Sequence, residues 1–160
     1  MGRKGLEIIE VDAKGIIKTL QAAYADEWLA HYHYLYAAQV IVGINAPQIA
    51  AVLRTRANEE LTHAMLLGER ILQLGGELPE HWSDIPKLAH CVKAFTMPRD
   101  LSDLKGVLQS ALQVERCAID SYQHLLKQTL HKDTVTHELA EELLADEVKD
   151  EEELENLLGE

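Results

Sequence analysis

In the stretch "NEELTHAMLLGERI", residues 58–71, Glu60 and His63 stand three positions apart, which is one helical turn. A carboxylate and an imidazole on one turn can hold a divalent metal, or they can form a surface pair worth a few tenths of a kcal/mol. The stepping of their neighbours favours the first. Leu53, Ala57, Ala64, Leu67 and Ile71 share the helical face of Glu60, so the polar pair interrupts an apolar stripe. The same three- and four-residue steps place Glu27 among Leu20, Tyr24, His31 and Tyr34, and Glu115 among Leu108, Ala111, Leu112, Ile119, Tyr122 and Leu126. They also place Glu147 and Asp150 among Leu143, Leu144, Leu154 and Leu158, repeating the spacing of Glu60 and His63. In this last stretch, "ADEVKDEEELE", a small shift of phase would put Asp146 or Glu151 in place of either acid.

Each acid needs a long helix to carry it, and the punctuation supplies four. Asp12 as cap and Gly43 as stop bound a first helix over about 12–42. Asn45 and Pro47 open a second over about 46–74, which Gly75 and Gly76 end. Residues 77–101 hold three of the four prolines and no sustained period, so they read as a long connection with at most short helical turns. Ser102 or Asp103 starts a third helix to about 130, and a fourth covers about 134–158. Short, long and short connections are the loop pattern of an all-α, ferritin-like antiparallel four-helix bundle, one domain spanning residues 1–160 with a single crossover.

In such a bundle the helix middles lie at one level, so Glu27, Glu60, His63, Glu115, Glu147 and Asp150 should converge. The pattern repeats internally: Glu115 follows Glu27 by 88 positions and Glu147 follows Glu60 by 87, a pseudo-twofold arrangement of two helix pairs. Five buried carboxylates need positive partners, because each unpaired buried ion costs several kcal/mol even after relaxation. Two divalent metals would supply the charge. Mixed carboxylate and imidazole donors suit iron or manganese, whereas structural zinc prefers thiolates and tetrahedral closure.

Lys plus Arg number 15 against 27 Asp plus Glu, so the chain carries a formal charge of −12, which disfavours nucleic acid and anionic membranes and attracts cations. With no apolar run of membrane-spanning or signal-peptide length, the expectation is a cytoplasmic protein with no nucleic-acid and no membrane partner. His31 reads as a hydrogen-bonded core histidine, or else as an additional ligand or a supporting group beside the ligands, and Tyr34 and Tyr122 as donors to them or as packed side chains with satisfied hydroxyls. Cys91 and Cys117 form no CxxC pair, and read as two buried thiols or as a redox couple.

These residues resemble the Dps-like, thioferritin-type branch of the ferritin-like superfamily, in which a bacterioferritin-type di-iron site lies beside a cysteine pair. The matching pieces are the inward Glu27, "EELTH", "GERILQLGGELP", "HCVKAF" and "ERCAIDSY", and they cover essentially the whole chain. The resemblance implies two irons per subunit held by Glu27, Glu60, His63, Glu115 and Glu147, with Glu60 and Glu147 as bridges. It also implies oxidation of Fe(II) by hydrogen peroxide or dioxygen, storage of ferric iron in a homo-oligomeric shell of twelve subunits, protection against oxidative stress, and Cys91 with Cys117 as the redox pair or disulfide. The family's second motif ends in His where this chain has Asp150, which puts the second metal in question. Leu61 stands where haem-binding members carry Met, so haem is not expected, and there is no lysine-rich tail for DNA. Two rivals share the sequence features: a manganese-dependent peroxidase, catalase or other di-metal oxidase, and a non-catalytic helical structural or interaction subunit.

Overall fold

Asp12 accepts the Lys14 N–H at 3.1 Å and so starts the helix it was expected to start, satisfying a backbone donor that the helix itself leaves free. The computed structural model describes residues 3–7, 9, 12–91 and 93–160. Its helices are α1 (Arg3–Glu7), α2 (Ala13–Val40), α3 (Ala46–Gln73), α4 (Ile85–Leu88), α5 (Leu104–Thr129) and α6 (Thr134–Leu158), with a 3₁₀ turn at Trp82–Asp84 before α4. The sequence reading placed nothing at α1. Asp103 rather than Ser102 caps α5, accepting the Gly106 N–H at 2.9 Å. Asn45 precedes α3 but makes no side-chain cap bond, and Pro47 sits in the first turn. At the far end of α3 the chain reverses through Gly75, at φ 84°, and Gly76, where a Cβ would stand 2.7 Å from Ile17 Cγ2.

The bundle is two helix pairs, α2 with α3 and α5 with α6, joined by the long crossover, and α2 meets α5 while α3 meets α6. Side-chain bonds fix the directions. Tyr34 pairs with Glu115 and Tyr122 with Glu27, so residue numbers rise along α2 as they fall along α5. Likewise Arg56 pairs with Asp150 and Arg70 with Thr136, which makes α3 and α6 antiparallel.

Two apolar clusters fill the bundle, one at each end. Tyr34, Ala37, Leu53, Ala57, Leu108, Ala111 and Leu154 belong to one, and Ile16, Leu20, Leu67, Ile71, Tyr122, Leu125 and Leu143 to the other. The acids anticipated at mid-helix form the layer between them, so the fold is a sandwich of apolar core, polar level and apolar core along its axis.

Arg70 anchors the α6 end of this arrangement. It is 8% exposed, its Nε donates to Thr136 Oγ1 at 2.7 Å, and its Nη2 donates to both Asp133 oxygens at 2.8 and 3.0 Å. Asp133 in turn caps α6 by accepting the Thr136 N–H. Removing one partner of a buried ion pair leaves the other unpaired, so Arg70→Met should destabilise the fold by about 3–5 kcal/mol. Denaturant unfolding checks this, and a loss under about 1 kcal/mol would contradict the anchoring role.

Candidate metal centre

Glu27 comes from α2, Glu60 and His63 from α3, Glu115 from α5 and Glu147 from α6, and none is more than 4% exposed. The sequence-derived expectation that helix middles share one level is met because each carrier helix runs about as far to one side of its acid as to the other. One donor atom from each of Glu27, Glu60, His63 and Glu147 can be chosen so that all four lie within 4.8 Å of one another, close enough to hold one metal ion. His63 Nδ1 faces this group, 3.0 Å from Glu147 Oε1, 3.4 Å from Glu60 Oε2 and 4.0 Å from Glu27 Oε2. Its Nε2 faces outward to Asp146 Oδ2 at 3.5 Å. Asp146 thus supports the histidine from a half-exposed position, as the outer partner of a metal-binding imidazole does.

Two tyrosines fix the terminal acids reciprocally. Tyr34 Oη donates to Glu115 Oε1 at 2.7 Å, and Tyr122 Oη donates to Glu27 Oε1 in a very short bond. Each tyrosine lies seven positions after the other pair's acid, so the internal repeat extends to these donors. One oxygen of each acid is held, and the second oxygen of Glu115 has no hydrogen-bond partner. The remaining polar atoms agree: Glu60 Oε2, His63 Nδ1, Glu115 Oε2 and both oxygens of Glu147 are buried without a hydrogen-bond partner. Buried polar groups are almost always paired, so five unpartnered atoms in one layer identify a place built for a positive ligand.

Electrostatics gives the same answer. Burial first, then the neighbouring carboxylates, holds Glu27 and Glu147 well above the usual carboxylate range, and burial with Glu115 does so for Glu60. Burial pushes Glu115 up to about 7, against the opposing hydrogen bond from Tyr34. Without a cation these acids resist ionising together.

Asp150 is 3% exposed and lies one turn beyond Glu147 on α6, but its carboxylate is taken by Arg56, and it is not in the four-residue group. Arg56, itself 2% exposed, also meets Glu59 at 2.8 Å and Glu153. The sequence reading passed over Arg56, although its place one turn before Glu60 was the available signal. His31 does not join the centre: its ring Nδ1 donates to the Ala57 carbonyl at 2.6 Å, tying α2 to α3. Cys91 and Cys117 are joined in a disulfide that ties the crossover to α5. Asp26, unremarked in the sequence, accepts the Cys91 N–H at 2.6 Å, and burial raises it to about 6.

Known proteins carry the same framework. The chain is 30% identical to the DNA protection during starvation protein of Pyrococcus furiosus over 156 residues, 98% of this chain and 83% of the relative. It superposes on a dodecameric thioferritin, the bacterioferritin-related protein of Bacteroides fragilis, with a TM-score of 0.90 and 31% identity, covering 99% of this chain and 94% of that one. A ferritin-like, diiron-carboxylate protein of Bacillus anthracis aligns at TM-score 0.75 and 25% identity over 91% of this chain and 96% of its own. Dps of Thermosynechococcus elongatus, at 18% identity and TM-score 0.82 over 91% and 90%, shares the fold. No helix among the described residues is long and apolar enough to cross a membrane. Residues 17–160 match the model of the ferritin-like domain, and the chain belongs to that family.

Proposed function

We propose that this protein is a di-iron ferroxidase that oxidises Fe(II), with hydrogen peroxide preferred over dioxygen, and stores the ferric product in an oligomeric shell. The observation that carries the reading is the layer of five unpartnered donor atoms on Glu60, His63, Glu115 and Glu147 between two apolar clusters. In this reading Glu27 with His63 and Glu115 are terminal ligands on opposite sides, and Glu60 and Glu147 bridge. Fe(II) is the substrate. Two Fe(II) each give up one electron, the O–O bond of peroxide breaks, and its two oxygens leave as hydroxide or, with protons, as water.

The residues' contributions follow from their contacts. Glu60 and Glu147 hold two ions close enough for both electrons to reach one peroxide molecule. The hydroxyls of Tyr34 and Tyr122 keep the terminal carboxylates turned inward, so the ligand geometry exists before iron arrives. Four glutamates that resist ionisation without a cation become stable anions as the iron charge rises. The disulfide, with the Cys91 N–H bonded to Asp26, supports reading Cys91 and Cys117 as the redox pair. Assembly draws support from the dodecameric Bacteroides relative and from exposed Tyr32, Tyr36 and Trp82, an aromatic patch suited to burial between subunits. That assembly is the proposed shell, and a cytoplasmic iron store that removes peroxide is the proposed role. Although the Pyrococcus relative is named for DNA protection, a charge of −12 makes direct DNA binding unfavourable here, and protection would come from consuming iron and peroxide.

The test is anaerobic loading with Fe(II), gel filtration, and addition of peroxide or dioxygen under spectroscopic observation. The expected result is stoichiometric retained iron, faster oxidation with peroxide, and elution as an assembly. Oxygen evolution from peroxide with bound manganese would favour the catalase reading instead, and absence of bound metal would favour a structural subunit.

A further inference from the structure

The internal repeat relates Glu60 to Glu147 and His63 to Asp150 by the same shift of 87 positions, and by that shift Arg56 corresponds to Leu143. A symmetric centre would have an imidazole at position 150 and an apolar side chain at position 56. Both departures fall together, and the two residues pair with one another. On one half of the centre Glu27, His63, Glu60 and Glu147 offer donor atoms that could hold one ion. On the other half stand Glu115 and the same two bridges, while the group corresponding to His63 is engaged by a guanidinium.

We propose that the Arg56–Asp150 ion pair makes the two metal positions unequal, so that a divalent ion binds tightly at the His63 half and a second binds weakly at the Glu115 half. This rests on reading the centre as a two-metal site. The weak half lacks a nitrogen donor, and its fourth oxygen donor is held by a fixed positive charge that also repels an incoming cation. Arg56 is well seated: its Nη1 also reaches Glu59 at 2.8 Å and its Nη2 reaches Glu153. Asp150 is the most buried of its three acidic partners, with its side chain 4% exposed against 37% for Glu59 and 52% for Glu153. Freeing Asp150 would therefore require stripping a buried charge of its counterion, a penalty that metal binding at this half must overcome. The consequence is directional. The tight half retains its ion, and the weak half exchanges, which makes it the position through which iron passes on to the store. Arg56 acts here as a positioning residue.

Anaerobic titration with Co(II), read by its visible absorption bands and by native mass, tests the inequality without turnover. The wild-type protein should take one Co(II) per subunit, then a second at least about tenfold more weakly, the range seen when a ligand's support is altered. The symmetrising double variant Arg56→Leu, Asp150→His should close that gap and shift the bands of the second ion toward nitrogen coordination. Should this variant fold poorly by circular dichroism, Arg56→Gln, which releases Asp150 as an oxygen donor, should narrow the gap instead. Two equal affinities in the wild-type protein overturn the inequality while leaving the two-metal reading intact, and so does a gap that the variants do not narrow. No Co(II) in any of the proteins overturns both.

Discussion

Glu60→Gln is expected to slow Fe(II) oxidation by about a hundredfold or more, because the bridge is lost and even outer partners of metal ligands cost 10–100-fold when removed. The same substitution should make the metal-free protein more stable. Glu60 is 2% exposed, is surrounded by other acids, and has an oxygen with no partner. Burial and Glu115 make the folded metal-free protein hold the Glu60 proton above pH 4.5, where the unfolded chain releases it, and Gln removes that cost, about 1.4 kcal/mol per pH unit. Two opposite signs from one residue distinguish a functional acid from a structural one: a glutamate kept for packing would lose stability when altered and leave oxidation alone. Glu69→Gln, an exposed acid on the same helix, is the control and should change neither quantity. Oxidation followed by absorbance, with thermal melts of chelator-treated protein, reads both effects, and an unchanged oxidation rate would remove Glu60 from the centre.

The acids and the helices that carry them were legible for one reason: a carboxylate on an apolar stripe breaks a strong period, and four such breaks in register exceed what surface charge patterning produces. Glu147 stood out despite its acidic surroundings because Leu143 and Leu154 fix the phase of α6, and the structure leaves the neighbouring Asp146 half-exposed against the outer nitrogen of His63. Periodicity said less about two other residues. Of the readings open to His31 the structure shows the hydrogen-bonded one: the buried face of α2 runs through Ala23, Glu27, Ala30 and Tyr34, and His31 at its edge finds the Ala57 carbonyl. Arg56 went unnoticed because an arginine near an apolar stripe usually reaches for solvent along its stem, whereas here Asp150 and two carboxylates nearer the surface hold it inside. Such a pair depends on which side of α3 meets α6, a fact of tertiary packing that helical stepping within one segment does not contain. The disulfide came from the resemblance and not from spacing: Cys91 lies in a crossover without period, and in the structure its N–H donates to Asp26 while its sulfur joins Cys117.

Metal should reverse the pH dependence of stability. In the metal-free protein Glu115 titrates near about 7 instead of 4.5, and Glu27, Glu60 and Glu147 also lie well above that ordinary value, chiefly because burial disfavours their charged forms. The folded state therefore holds protons that the unfolded chain has already released. Stability then falls as pH rises through the unfolded value of 4.5 and keeps falling until the folded groups ionise, at about 7 for Glu115 and well above 4.5 for the other three. Each proton of difference amounts to about 1.4 kcal/mol per pH unit, so two or three such acids make a steep slope. A bound divalent ion needs the same carboxylates ionised, and its binding releases their protons, so its stabilisation grows over the same interval. Thermal melts between about pH 5 and about pH 8 should thus diverge, with chelated protein losing midpoint temperature as pH rises and protein with excess Mn(II) retaining or gaining it. Surface carboxylates contribute alike to both series and cancel in their difference. Glu115→Gln should flatten the metal-free slope and weaken the response to Mn(II) together, since one buried group is responsible for both. Parallel curves with and without metal would mean that the buried acids are satisfied by the protein alone, and the layer of carboxylates between the two apolar clusters would then lose its reading as a metal centre.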